Sequence, residues 1–246
     1  MPPFSADCPR PDVVLLDVGG VFLLPNPIHL GEVFTRAGFE VPAAVMLEAH
    51  YEGAIAYTEP YNGDFPSRDF WTTYCTTYAA VCGVPDVSRA QVVDHMMSLV
   101  TTSVIWTHVI DGAKEGLHEL LDTGVAVGVV SNADGTIAED LRSFEILQVG
   151  PGMGANVRCV IDSGAVGVQK PDPRIFKIAL DALDATPDHV WYVGDTPAID
   201  VVGSRRAGIH PVLMDPHDLT DHLGVDRVHS MHELASRVRA ARQTIA

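Results

Sequence analysis

Lysine is scarce: the chain has only Lys114, Lys170 and Lys177, and its 16 Lys and Arg face 32 Asp and Glu, for a formal net charge of −16. A nucleic-acid or anionic-membrane surface needs clustered cations, so this balance excludes both partner classes. An anionic substrate would need local cations or a metal to hold it against that field. Paired cysteines are lacking too. Cys8, Cys75, Cys82 and Cys159 show no CxxC spacing and are read as free thiols of a cytoplasmic protein. No apolar run is long enough to cross a bilayer, and the stretch "MPPFSADCPRPD" has neither a basic start nor an apolar signal core. No repeat or low-complexity tract interrupts the chain, and nothing in it encodes an oligomeric state.

With 47% hydrophobic residues, the 246-residue chain can build a sizeable core. Short apolar runs recur: "VVLL" at 13–16, "VAVGVV" at 125–130, "RCVI" at 158–161, "VWYV" at 190–193 and "PVLM" at 211–214. Helical stripes lie between the later runs. Ala113, Leu117, Leu120 and Leu121 form one, ended by Gly124; Ile137, Leu141 and Phe144 form a second. Ile175, Phe176, Ala179, Leu180 and Leu183 form a third, behind Asp172 as N-cap and Pro173 at the first helical position. Alternating strands and helices predict an open, mostly parallel α/β sheet of Rossmann type, with helices on both faces. Residues 24–108 show no clear strand but several helical stripes, such as Phe70, Tyr74, Tyr78 and Val81, or Val92, Val93, Met96 and Val100. The aromatic and Met content there is read as helix packing. The expected organisation is a core of residues 1–23 and 109–246, interrupted by an all-helical cap.

Ligands of open α/β sheets bind outside the carboxyl ends of the strands. Those ends carry Asp17, then Ser131 and Asn132, then Asp195; Lys170 opens a helix between the last two, and Asp200 follows Asp195 by five residues. One acid at a strand end is ordinarily a turn residue, but this ordered set on one sheet edge is not so easily dismissed. The segments "DVGGV", "VGVVSN", "GVQKPDPRIF" and "GDTPAID" together resemble the motifs of the haloacid dehalogenase-like hydrolase superfamily, over residues 12–235. A helical insert right after the first motif is similar to the cap of that family's best-populated branch. The resemblance implies a Mg²⁺-dependent phosphatase acting on a small phosphorylated metabolite. It makes Asp17 the nucleophile that forms an aspartyl-phosphate, and Lys170 the charge that screens it. It assigns phosphate binding to Ser131, the Asn132 N–H and Lys170. It assigns Mg²⁺ to Asp17, the Gly19 carbonyl and Asp195, with Asp200 in support.

One position departs from the family pattern. Two residues after the nucleophile, where typical members carry an Asp that protonates the leaving group, stands Gly19. General acid–base help is worth roughly 10²–10⁴-fold. The substrate could have a good leaving group, as in anomeric sugar or acyl phosphates, or the cap could supply the acid, with Asp64 and Asp69 as candidates. A catalytically silent binding protein and a non-phosphate hydrolase such as a dehalogenase are the alternatives. The segment "GPGMGA" at 150–155 is not read as a dinucleotide site, because an apparent strand follows it rather than a helix. The histidines at 210, 217, 222, 229 and 232 are read as exposed loop residues, and His29, His50, His95 and His108 as packing or surface residues, one of which could touch substrate.

Overall fold

The computed structural model describes residues 4–5, 7–57 and 68–243. Among the described residues ten strands form: β1 (Val13–Leu16), β2 (Leu23–Pro25), β3 (Trp106–Val109), β4 (Ala126–Ser131), β5 (Leu147–Val149), β6 (Ala155–Val157), β7 (Val160–Asp162), β8 (Val190–Gly194), β9 (His210–Met214) and β10 (Asp226–Val228). The helices are α1 (Pro27–Arg36), α2 (Ala43–Ile55), α3 (Arg68–Val81), α4 (Asp86–Val100), α5 (Ala113–Leu121), α6 (Ile137–Ser143), α7 (Ser163–Val166), α8 (Pro173–Leu183), α9 (Val202–Arg206) and α10 (Met231–Gln243). Six strands make one parallel sheet in the order β10-β9-β8-β1-β4-β7.

The central strand shows why its sequence is continuously apolar. Side chains alternate across a strand, so Val14 and Leu16 pack with Leu117, Leu120, Leu234 and Val238 of α5 and α10. Val13 and Leu15 turn to the other face, against Ile175, Phe176 and Ala179 of α8. Both faces are therefore covered, as the α/β pattern predicts. α8 starts as read from the sequence, with the Asp172 carboxylate accepting from the Arg174 N–H at 2.9 Å. α10 and the short ribbon of β5 and β6 carry too few strong signals to stand out in the sequence.

Helices α1–α4 surround an apolar cluster of their own, with Leu30, Phe34, Met46, Tyr74, Tyr78 and Met96 at its centre. The chain enters this helical insert along β2 and leaves along β3, which pair antiparallel with Leu23 opposite Val109 and Leu24 opposite His108. Residues 24–108 are thus not strand-free. The expected boundaries fall inside a ribbon that forms because the two crossings run side by side and satisfy each other's backbone groups. All four cysteines are free thiols. Among the described residues no helix is long and apolar enough to cross a membrane. Phe34 is fully buried in the helical cluster, so Phe34→Ala is expected to cost about 3–5 kcal/mol. A fall in the urea unfolding midpoint reads this out; an unchanged midpoint would mean that the cluster does not stabilise the insert.

Candidate active site

β1 is flanked by β4 and β8, and the chain leaves β1 toward one side of the sheet and returns on the other. That is the switch point where open α/β sheets form ligand crevices. The pairing aligns Leu16 with both Val129 and Val193, which brings the tips together. Asp17 follows immediately; its N–H donates to the Val193 carbonyl at 2.8 Å, and its Oδ1 accepts from the Val18 N–H at 2.8 Å.

Lys170 organises what surrounds it. It is 1% exposed, with Nζ 2.7 Å from Asp17 Oδ2, 2.9 Å from Asp200 Oδ1 and 2.7 Å from the Tyr192 hydroxyl. Its backbone is gripped by the Asn132 amide, which accepts from the Lys170 N–H at 2.7 Å and donates to the Lys170 carbonyl at 3.0 Å. The Asn132 side chain is thereby spent on placing the lysine, which leaves its backbone N–H for any ligand. Both oxygens of Asp200 are engaged as well: Lys170 and Tyr192 share its Oδ1, and the Thr196 N–H reaches Oδ2 at 2.9 Å.

Asp195 takes the Thr196 hydroxyl at 3.0 Å on one oxygen and His50 Nε2 at 2.8 Å on the other. A carboxylate only accepts, so His50 donates from Nε2, while its Nδ1 shares a 2.9 Å hydrogen bond with the Tyr74 hydroxyl. The helical insert is thus bonded directly to a strand-tip acid. Tyr51 adds a second tie, its hydroxyl donating to the Gly20 carbonyl at 3.0 Å.

The glycines make this crowding feasible. Gly20 has φ +67°, and a β-carbon there would strike the Asp195 carboxylate; one at Gly194 would strike Asp200. Gly19 is different. A β-carbon at that position would lie 3.3 Å from the Trp106 ring, so an indole stands over the space that the family's second acid would use.

Burial pushes the Asp17 carboxyl up to about 7; Lys170 pulls it down, and the charges of Asp200 and Asp195 push it up. Burial also raises Asp200 against the pull of Lys170. For Lys170 itself burial works against the charge, but Asp17 and Asp200 outweigh it and hold the ammonium above its usual range.

Asp17, Gly19, Ser131, Asn132, Lys170, Asp195 and Asp200 line one cavity of about 530 Å³ between the strand tips and the helical insert. The structure thus brings these seven residues into one place. It does not do so for Asp69, which is exposed in the first turn of α3 and away from the cavity lining; Asp64 lies outside the described residues. Sequence reasoning missed Trp106 and left His50 among the ordinary histidines, because neither carries a motif. Phe70 and Tyr74 pack as expected, but they also face the cavity. The later histidines are not all loop residues. His210, on β9, pairs with Asp226 at 2.8 Å, while His229 meets Asp218 at 2.8 Å and His232 meets Glu119 at 3.0 Å. Cys8 joins the His210–Asp226 pair, and burial followed by the charge of Asp226 raises its thiol to about 12, leaving it protonated.

A family profile described as haloacid dehalogenase-like hydrolase matches residues 86–214, more than half of the chain. The chain belongs to the haloacid dehalogenase-like hydrolases. Haloacid dehalogenase-like hydrolase domain-containing protein 3 of Mus musculus is 32% identical over 171 residues, 69% of this chain and 65% of that protein. A phosphoserine phosphatase of Thermus thermophilus is 37% identical over 103 residues, 42% of this chain and 39% of its own length. The matches therefore span less than two thirds of either relative. Among solved structures, a phosphatase of the family from Thermococcus onnurineus superposes with a TM-score of 0.55 at 19% identity, over 91% of this chain and 96% of that one. That superposition shows the shared haloacid dehalogenase-like fold.

Removing Lys170 strands two buried carboxylates, so Lys170→Met is expected to cost about 3–5 kcal/mol. The pH trend follows from the direction of the shift. The folded value of Asp17, about 7, lies above an unfolded value of about 3.9. A carboxyl raised on folding stabilises fully below its unfolded pKa, and that stability is lost as pH rises through the folded one. Without the lysine the rise is larger. The deficit of Lys170→Met should therefore be greatest above pH 7 and shrink toward pH 5, as measured by urea unfolding in metal-free buffer. A deficit that grows on acidification would remove the ion pair as its source.

Proposed function

We propose that the protein is a Mg²⁺-dependent phosphatase of small phosphate monoesters, working through an aspartyl-phosphate on Asp17. The observation that carries this reading is the buried contact of Lys170 Nζ with Asp17 Oδ2 at 2.7 Å, at the mouth of the cavity's acidic end. A carboxylate approaching a phosphate dianion is repelled, and a fixed ammonium beside both offsets that repulsion.

The donor set fits a hard divalent cation. Asp17, Asp195 and Asp200 are all buried, with one carboxylate oxygen of each within 4.8 Å of the others. Lys170 alone cannot neutralise three such acids, and oxygen-only donors suit Mg²⁺. Asp17 and Asp195 would hold the ion together with the Gly19 carbonyl, while Asp200, its oxygens already engaged, orients Lys170. When bound, the ion would add Lewis-acid stabilisation of phosphoryl charge.

In the first half-reaction an Asp17 oxygen forms a bond to phosphorus, and the bond to the leaving oxygen breaks with the electron pair departing on that oxygen. Ser131, the Asn132 N–H and Lys170 hold the phosphoryl oxygens as their charge redistributes. In the second, water adds to phosphorus, gives up its proton to solvent, and releases inorganic phosphate and the Asp17 carboxylate. Covalent catalysis of this kind splits one displacement into two easier ones. The matched phosphatase relative supports this reading, and the free thiols support a reducing, cytoplasmic setting.

The test is phosphate release from a panel of alkyl, acyl, sugar-1- and aryl phosphates, with and without Mg²⁺. Turnover should require the metal, and Asp17→Asn should lower it by about 10³-fold or more. Full activity in Asp17→Asn would remove the nucleophile from its role. Ligand binding without any turnover would favour a catalytically silent binder, the reading that Gly19 keeps in play.

A further inference from the structure

We propose that the leaving group accepted by this site is aromatic, so that the substrate is an aryl phosphate monoester whose ring is held by Trp71 and Trp106. This rests on the phosphatase reading and names its substrate class. The cavity's acidic end is described above. Its opposite wall, from α3, α4 and the start of β3, is formed by Phe70, Trp71, Tyr74, Met97 and Trp106. Trp71 meets Phe70 at 5.1 Å and 77°, Tyr74 at 5.5 Å and 81°, and Trp106 at 6.5 Å and 64° between centroids and ring planes. Edge-to-face clusters of this kind accept a further ring on the same terms.

Two polar handles of this wall are already engaged. The Trp106 indole N–H donates to the Val100 carbonyl at 3.1 Å, and the Tyr74 hydroxyl is committed to His50. Three of the cavity's other polar side chains are similarly occupied. Thr101 donates to the Met97 carbonyl at 2.8 Å, Thr102 to the Leu99 carbonyl at 2.7 Å, and Asn132 is bound at both ends to the Lys170 backbone. Along this wall a sugar leaving group would find few partners for its hydroxyls, whereas a ring buries its faces without such a demand.

The chemistry agrees. Trp106 stands over Gly19, where an acid that protonates the leaving oxygen would otherwise sit. An alkoxide, with a conjugate pKa near that of water at about 15.7, needs that proton. A phenoxide, with a conjugate pKa of about 10, can depart with the electron pair from the broken P–O bond and take its proton from solvent afterwards. One substrate class thus answers two features at once: carbon in place of the acid, and an aromatic wall behind it.

The test uses phenyl, benzyl and propyl phosphates, which separate aromaticity from leaving-group acidity. Binding is measured calorimetrically on Asp17→Asn in Mg²⁺, and phosphate release on the wild-type protein. Both aromatic esters should bind about tenfold tighter than propyl phosphate. Trp71→Ala should erase that preference, as should the volume-sparing Trp106→Leu if the alanine variant fails to fold. Phenyl phosphate should exceed benzyl phosphate in kcat/KM by about 10²-fold or more. Phosphate release with equal binding of all three esters would overturn the aromatic assignment and leave the phosphatase standing, as would a preference that survives both tryptophan substitutions. Neither binding nor release from any ester, or aryl binding with no release, would overturn both.

Discussion

A single ammonium, buried between two buried carboxylates, sets the terms for the rest of this site. Lys170 gives up its hydration to sit between Asp17 and Asp200, and a buried ion pair recovers that cost only when its geometry is nearly ideal and its remaining protons are used. The surroundings meet this condition. Tyr192 takes a third proton, Asn132 fixes the lysine backbone from both sides, and Thr196 holds the far oxygen of Asp200. Loosening any of these would leave charge in a low-dielectric pocket without compensation. The arrangement is thus stiff because of what it must neutralise, and a stiff array of charges is what phosphoryl transfer requires.

The core and this array were legible in the sequence because each informative residue lies within a few positions of a strand end. Asp17, Ser131 and Asp195 are placed by strands whose apolar runs are easily read, and Lys170 by the Asp172–Pro173 helix start that follows it. Gly20 and Gly194 could be seen but not explained. Their reason is the approach of Asp195 and Asp200, side chains whose positions no local pattern encodes. The assignments that escaped the sequence come from the helical insert. Whether His50 meets Asp195, or Trp106 covers Gly19, depends on how α2 and the β2–β3 ribbon settle on the strand tips. That is decided by packing between distant segments rather than by periodicity. Asp69 shows the converse: its acidic character suggested chemistry, but an exposed first-turn position gives it none.

Gly19 gains its meaning only beside Trp106. In the sequence it reads as a missing carboxylate, a subtraction from a working motif. In the structure a β-carbon at that position would lie 3.3 Å from the Trp106 ring, and the same ring belongs to an aromatic cluster spanning α3 and β3. An aromatic surface thus stands beside the position where the family pattern has a carboxylate.

The antiparallel ribbon of β2 and β3 has a consequence for how the insert is held to the sheet. Both chain crossings between the helical insert and the sheet run through this one pair of strands, and the insert carries its own apolar centre. The apolar centre of the insert is thereby built separately from the apolar core of the sheet, with the cavity between the two. His50, bonded to Asp195, and Tyr51, bonded to the Gly20 carbonyl, bridge the two, so α2 cannot lift from the strand tips without breaking both bonds.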